Sequence, residues 1–280
     1  MKGKTTIQRG EALALHTLET GTIGRIPLFL LLMVSVTAAF VGCASRDKLI
    51  KQSGQHFEYG LVYLEQGDLA QAYDEFGKAR EILPDNDKAH FGLGLTLYFQ
   101  GKFEQAFLAY QRAIELNPRV PEYYNNMAAT LGKMARWKDV IEYCQVALDM
   151  PSYSTPGFAY YNMGCAYLNL GKVDKAIECL RRATDENPDY SYAHVQLGKA
   201  LIMRGEYSDA ILSLREAQHL EMVSSSGDIL LQAEIDYYLG QSYLGLGDTS
   251  SARDAFRSVM DRAPGSKLAK DSATYLKGAR

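Results

Sequence analysis

The sequence predicts an all-α protein, a solenoid of six helix-turn-helix repeats that ends in a capping helix. Small residues recur at intervals of 34, 34, 36, 34 and 42 positions, at Gly60, Gly94, Ala128, Gly164, Gly198 and Gly240. Small apolar residues follow each of them after twelve and nineteen positions, from Ala72 and Ala79 in the first repeat to Ala252 and Val259 in the last. A constant period of this length is typical of helical repeats that stack side by side.

Turn-forming residues mark where the helices of each repeat end. Glycine separates the two helices in five repeats, at Gly67, Gly101, Gly171, Gly205 and Gly247. Proline follows the second helix in four repeats, at Pro84, Pro118, Pro188 and Pro264. Glycine permits a tight turn, and proline cannot continue a helix. We expect the recurring small residues where helices cross closely, with large side chains in the complementary spaces, among them Tyr63, Phe76, Tyr110, Tyr167 and Phe256.

The first 42 residues have the pattern of a secretory signal peptide. Four basic residues precede an uncharged stretch at 26–41, which is shorter than the roughly 20 residues of a membrane-spanning helix. The following FVGCAS resembles the lipobox of bacterial lipoproteins, which implies cleavage before Cys43, a covalent lipid on Cys43 and a tether at 43–52. Ala44 after the cysteine implies sorting to the outer membrane, facing the periplasm. The alternative is an ordinary signal peptide or an uncleaved anchor with a chance cysteine.

The six predicted repeats occupy 53–86, 87–120, 121–154, 157–190, 191–224 and 233–266. Two interruptions break their regular spacing. Pro151 and Pro156 prevent the end of repeat three from continuing as helix, so this segment is expected to be a non-helical link. An insertion at 223–232 is expected to form a polar turn and to lengthen the first helix of repeat six, with Asp228 as its N-cap. Residues 267–280 are expected to cap the last repeat.

Composition and motifs argue against nucleic-acid binding and catalysis. Lys and Arg total 30 against 33 Asp and Glu, so the chain lacks the basic character of a nucleic-acid binder. The sequence shows no hydrolase, metalloprotease or phosphate-binding motif, and we predict no cofactor or metal site. His56, His90 and His194 share one repeat position, which favours a packing role. Cys144, Cys165 and Cys179 are predicted to be buried; a disulfide and a cryptic enzyme site using Cys165 remain alternatives.

A solenoid without a catalytic site is expected to act through a binding surface. The first helices of such repeats line the concave face, where amides bind peptide backbone and aromatic rings provide apolar contact area. The predicted groove residues are Phe91, Tyr98, Phe99, Asn125, Asn126, Phe158, Tyr161, Asn162, Tyr192 and Gln196.

The repeat pattern resembles the tetratricopeptide repeat, a right-handed α-solenoid that binds protein partners. One block is similar to a narrower family, the type IV pilus biogenesis lipoproteins PilF, PilW and Tgl. It comprises Asn125 and Asn126, the link with Pro151, Tyr153 and Pro156, and then Asn162, Gly164 and Cys165. The resemblance implies a non-enzymatic pilotin, an outer-membrane lipoprotein that assists the localisation and assembly of the pilus secretin. The alternative is a general periplasmic scaffold that organises other envelope or peptidoglycan-related complexes.

Overall fold

The computed structural model describes residues 28–224 and 227–278, with side chains from residue 46 onward. Most of the predicted signal peptide and the side chain of Cys43 lie outside this description. The described residues divide into two units between residues 48 and 49. Within the described residues no helix has both the length and the apolar character that crossing a membrane requires.

Thirteen helices and no strand make up the described part of the chain. They are α1 (Leu28–Glu65), α2 (Leu69–Ile82), α3 (Asp87–Phe99), α4 (Phe103–Leu116), α5 (Pro121–Lys133), α6 (Trp137–Leu148), α7 (Pro156–Asn169), α8 (Val173–Glu186), α9 (Ser191–Arg204), α10 (Tyr207–Val223), α11 (Ile229–Gly245), α12 (Thr249–Arg262) and α13 (Lys267–Gly278). The predicted all-α solenoid is therefore confirmed. Residues 46–52, predicted as part of a tether, are helical and belong to α1, because no Gly or Pro interrupts the chain between Ala44 and Ser53.

The helices form two layers. From α3 to α13, each odd-numbered helix contacts the next odd-numbered one as well as its neighbours in sequence. Even-numbered helices make no comparable contact with one another among the described residues. The odd-numbered layer is thus the more closely spaced, and it forms the concave side of the solenoid.

The recurring glycines lie where the two helices of a repeat touch. A Cβ on Gly94 would lie 2.6 Å from the ring of Tyr110, which is buried sixteen residues further on. The same offset places Phe76 against Gly60 and Phe256 against Gly240. In these three repeats the large side chain therefore fills the space that the glycine leaves empty.

Repeat three makes its turn without glycine. The five predicted turn glycines all have positive φ, from 70° to 84°. The corresponding residue between α5 and α6 is Ala135, with φ of 55°. An L-residue with a Cβ is strained in this left-handed conformation.

The link after repeat three folds back onto the core. Pro156 is the first residue of α7, and the amide of Tyr153 donates to the carbonyl of Met150 at 3.0 Å. The Tyr153 ring is buried with Met127, Cys144 and Ala159. The segment is non-helical, as predicted, and its tyrosine joins repeats three and four.

The insertion lengthens two helices. Both α10 and α11 have 17 residues, against 12 to 14 in α2 to α9. Asp228 is the N-cap of α11, as predicted, and its carboxylate accepts from the amides of Leu230 and Leu231. At the end of the chain α13 packs on α11 and α12, with Tyr275 stacked on Phe256 at 4.9 Å between ring centroids.

Candidate functional site

A groove of about 910 Å³ lies on the concave side, across α3, α5, α7 and α9. We call it the central groove. Its lining consists of Tyr98, Phe99, Glu122, Asn125, Asn126, Ala129, Gly132, Lys133, Trp137, Tyr153, Thr155, Phe158, Tyr161, Asn162, Cys165, Asn169, Tyr190, Tyr192 and Gln196. Nine of the ten predicted groove residues are in this set. Four successive odd-numbered helices thus contribute to one continuous surface.

Amide side chains occupy the middle of the groove. Asn162 on α7 donates to the side-chain oxygen of Asn125 on α5 at 3.0 Å, so the pair joins two repeats. Asn126 donates to the backbone carbonyl of Glu122 at 2.8 Å, one turn back on its own helix. These bonds fix the orientation of the amides and leave each with further donor or acceptor capacity. Such groups can pair with the backbone of a bound polypeptide.

Aromatic rings form the two ends of the groove. At one end Tyr98 and Phe99 meet edge to face with centroids 5.6 Å apart, and Phe99 is 60% exposed. At the other end Phe158, Tyr161 and Tyr192 surround Tyr190 at 5.1, 4.9 and 6.0 Å. Burial raises the pKa of the Tyr161 and Tyr190 hydroxyls, which therefore remain neutral. Both ends present apolar faces with uncharged hydrogen-bonding tips.

Phe91 is the predicted groove residue that does not line the groove. Its ring packs 4.8 Å from Tyr123 and 5.8 Å from Tyr110. Asn125 takes the same position in the next repeat and does line the groove. An apolar ring at this position gains by leaving water for the space between repeats, whereas an amide remains at the solvated surface.

Several lining residues were missed by the sequence prediction. Tyr153 and Tyr190 come from the segments before α7 and α9, and Trp137 begins α6. The repeat pattern identifies which helix faces inward, but it gives no direction for side chains in the connecting segments. Two features of the sequence could have indicated these residues: the tyrosines in the DYSY segment at 189–192 and the single Trp of the chain.

Cys165 lacks the properties of a catalytic thiol. Burial raises its pKa to about 11, while hydrogen bonding from Tyr161 lowers it by less. A nucleophilic cysteine needs the opposite, a thiol whose pKa is lowered by a neighbouring cation or base. Cys144, Cys165 and Cys179 are free thiols. The free thiols argue against the disulfide alternative, and the raised pKa of Cys165 argues against the enzyme alternative.

The recurring histidines serve packing between repeats. His90 and His194 each donate through Nε2 to the carbonyl of the proline six residues earlier, at 3.1 and 2.9 Å. Tyr124 makes the equivalent bond to Pro118 at 3.1 Å. His56 instead bonds Glu75 at 2.6 Å. No cluster of metal-binding side chains occurs in the described part of the chain.

Comparison with known proteins identifies tetratricopeptide repeats in the sequence and a similar fold in solved structures. Family models described as tetratricopeptide repeat match residues 87–120, 161–228 and 234–266, and one described as TPR repeat matches 60–101. No curated protein matches the sequence.

Among the solved structures with a similar fold are three TPR proteins. PilF of Pseudomonas aeruginosa has 19% identity and a TM-score of 0.71, over 81% of this chain and 99% of that one. PilW, described as a widely conserved type IV pilus biogenesis factor, has 22% identity and a TM-score of 0.68, over 79% and 98%. YrrB, described as a TPR protein with an unusual peptide-binding site, has 20% identity and a TM-score of 0.54, over 71% and 97%. At these identities the likeness establishes the fold.

Proposed function

The chain belongs to the tetratricopeptide repeat proteins, as its sequence predicted, and we propose that it is a non-enzymatic scaffold that holds a segment of a partner protein in the central groove. The observation that carries this proposal is the continuous row of amides and aromatic rings across α3, α5, α7 and α9. Amides such as Asn125 and Asn162 suit a polypeptide backbone, and exposed rings such as Phe99 suit apolar side chains.

We further propose that the scaffold is an outer-membrane lipoprotein of the periplasm. The lipobox-like sequence at Cys43 and the small Ala44 after it support this location. Two or more acyl chains give stable anchoring, since each buried CH₂ contributes about 0.8 kcal/mol. Because only nine residues separate Cys43 from Ser53, where the first repeat begins, the groove would work close to the membrane surface.

The partner that we propose is a subunit of the type IV pilus secretin, whose assembly or localisation the protein would assist. The support is the Asn125–Cys165 block of the sequence together with the structural likeness to PilW, a pilus biogenesis factor. The second candidate is a general envelope scaffold for other complexes, which the repeats and the anchor suit equally well.

A deletion strain separates these two candidates. The strain is blotted for SDS-resistant secretin multimers, with wild-type and Cys43→Ser copies restored in turn. We expect the multimers to disappear on deletion and to return with the acylatable copy alone. Unchanged multimers in the deletion strain would reject the secretin role and favour the general scaffold.

The groove itself is tested in the same strain with two double variants. Asn125→Ala with Asn162→Ala removes the amide pair at the groove centre. Gln111→Ala with Gln145→Ala removes two exposed amides from the outer helices α4 and α6. We expect the first variant to fold and to fail in multimer formation, and the second to behave as wild type. Full activity of the first would place the binding face elsewhere.

A further inference from the structure

A second cavity, of about 310 Å³, adjoins the central groove at Tyr192, which lines both. It lies between the start of α11, the end of α12 and the start of α13. Leu230, Leu231 and Leu268 provide apolar walls, and Asp228 and Glu234 are its charged residues. None of its lining residues is basic. The insertion before repeat six supplies Asp228 and Leu230, so this cavity is not part of the regular repeat.

The two carboxylates have different surroundings. Asp228 caps α11 and also accepts from the Tyr192 hydroxyl at 3.0 Å, so its charge is already hydrogen-bonded. Glu234 is half-buried and makes no hydrogen bond or ion pair with any other described residue. Lys199 attracts this carboxylate, but its ammonium lies over the ring of Tyr238, 6.0 Å from the centroid.

An unpaired, half-buried carboxylate is costly to maintain. Burial raises the pKa of Glu234, and this effect exceeds the opposing attraction of Lys199, while Asp228 adds repulsion. Glu234 nevertheless lines the second cavity, which shares Tyr192 with the central groove. A cation from a bound partner would supply the missing counter-charge.

We propose that the second cavity and Glu234 form a specificity subsite for the partner segment, which places a lysine or arginine on Glu234 and an adjacent apolar side chain among Leu230, Leu231 and Leu268. The acidic, base-free lining is complementary to a basic residue, and the apolar walls are complementary to its neighbour. The inference rests on the proposed function, because it assumes that a polypeptide segment occupies the central groove.

The test begins with a library of random peptides displayed on phage and selected on the purified full-length protein in detergent. Trp137 is the only Trp and lines the central groove, so its fluorescence reports binding of each selected peptide. The subsite predicts a basic residue next to an apolar one in the selected sequences. Against the best peptide, Glu234→Gln should weaken binding about tenfold, and replacing the peptide's basic residue by Gln should cost little further in that variant.

Matched controls isolate the two halves of the subsite. Glu216→Gln makes the same charge change at an exposed carboxylate of α10, and it should leave affinity unchanged. Leu230→Asn should weaken binding several-fold, while Ile229→Asn, at a similarly exposed position outside the cavity lining, should not.

The outcomes separate this inference from the proposed function. Peptides whose binding Asn125→Ala with Asn162→Ala abolishes, but which show no basic preference or bind Glu234→Gln equally well, would overturn the subsite and leave the groove intact. Selection of no peptide at all, or of peptides insensitive to the asparagine variant, would overturn both.

Discussion

Two tyrosines near the central groove, Tyr153 and Tyr123, have buried hydroxyl groups with opposite surroundings. The Tyr123 hydroxyl donates to the Asp87 carboxylate at 2.9 Å and so ties α5 to α3. The Tyr153 hydroxyl makes no hydrogen bond of normal geometry among the described residues. Burial raises its pKa to about 12, although Thr155 and the backbone of Ala159 lie near enough to lower it in part. A buried polar group without a partner loses its hydrogen bonds to water and gains none in the protein, which destabilises the folded state.

We therefore expect Tyr153→Phe to raise the free energy of unfolding by about 1 kcal/mol, because it removes an unpaired hydroxyl and keeps the ring. Tyr123→Phe is the matched control and should lower the free energy of unfolding by about 1.5–3 kcal/mol, since it removes a bond to a charged group. Urea unfolding followed by Trp137 fluorescence measures both. Equal destabilisation by the two variants would mean that the Tyr153 hydroxyl is paired in solution.

At the scale of the element, the turn between α5 and α6 is the one regular turn of a repeat that lacks glycine. Ala135→Gly should raise the free energy of unfolding by about 1 kcal/mol, because glycine adopts a φ of 55° without the steric cost of a Cβ. Gly101→Ala, at φ of 74° in the preceding repeat, is the reverse change and should lower stability by about 1–2 kcal/mol. Thermal or urea midpoints check the pair; a destabilised Ala135→Gly would contradict the account.

The helix-crossing glycines allow a second test of the same kind. A Cβ on Gly94 would lie 2.6 Å from the buried Tyr110 ring, so Gly94→Ala should cost about 1–3 kcal/mol through overpacking. Gly77, in the middle of α2, has open space at its Cβ. There, Gly77→Ala should instead stabilise the protein by about 0.5–1 kcal/mol, because alanine favours the helix. Similar effects of the two changes would show that close packing does not explain the recurring glycines.

The same repeat spacing explains how far the sequence could predict the structure. It identified the helix pairs, the five turn glycines and the inward-facing helices, because each depends on local periodicity. It failed at Phe91, where an apolar ring packs between repeats although Asn125 at the same position lines the groove. It also missed Tyr190 and the second cavity, since both depend on how connecting segments and the insertion fold back in three dimensions.

At the scale of the whole molecule, Glu234 is expected to lower the stability of the fold and to strengthen the binding of a partner. Burial raises the pKa of the Glu234 carboxyl in the folded state. Ionisation at neutral pH therefore costs free energy in the folded chain that it does not cost in the unfolded chain. Its contribution to stability therefore falls as the pH rises through the ordinary glutamate value of 4.5 to the raised value. The neighbouring Tyr161, Tyr192, Tyr238 and Cys165 have raised pKa values and do not titrate in this range.

Glu234→Gln is accordingly expected to be more stable than wild type at neutral pH and yet to bind peptide more weakly. The gain should shrink as the pH falls from the raised value toward 4.5 and disappear below that, where the wild-type carboxyl is protonated in both states. Hydrogen bonding, first of all from the amide of Leu231, lowers the pKa of Asp228, so this neighbour keeps its charge over most of the window. Glu216→Gln, which has the same formal change at an exposed site, should show no such pH-dependent difference. Urea midpoints from about pH 4 to about pH 8 measure the effect. If the carboxylate stabilised the fold, Glu234→Gln would lower both the stability of the protein and its affinity for peptide. If the carboxylate serves to bind a partner's cation, Glu234→Gln raises the stability and lowers the affinity.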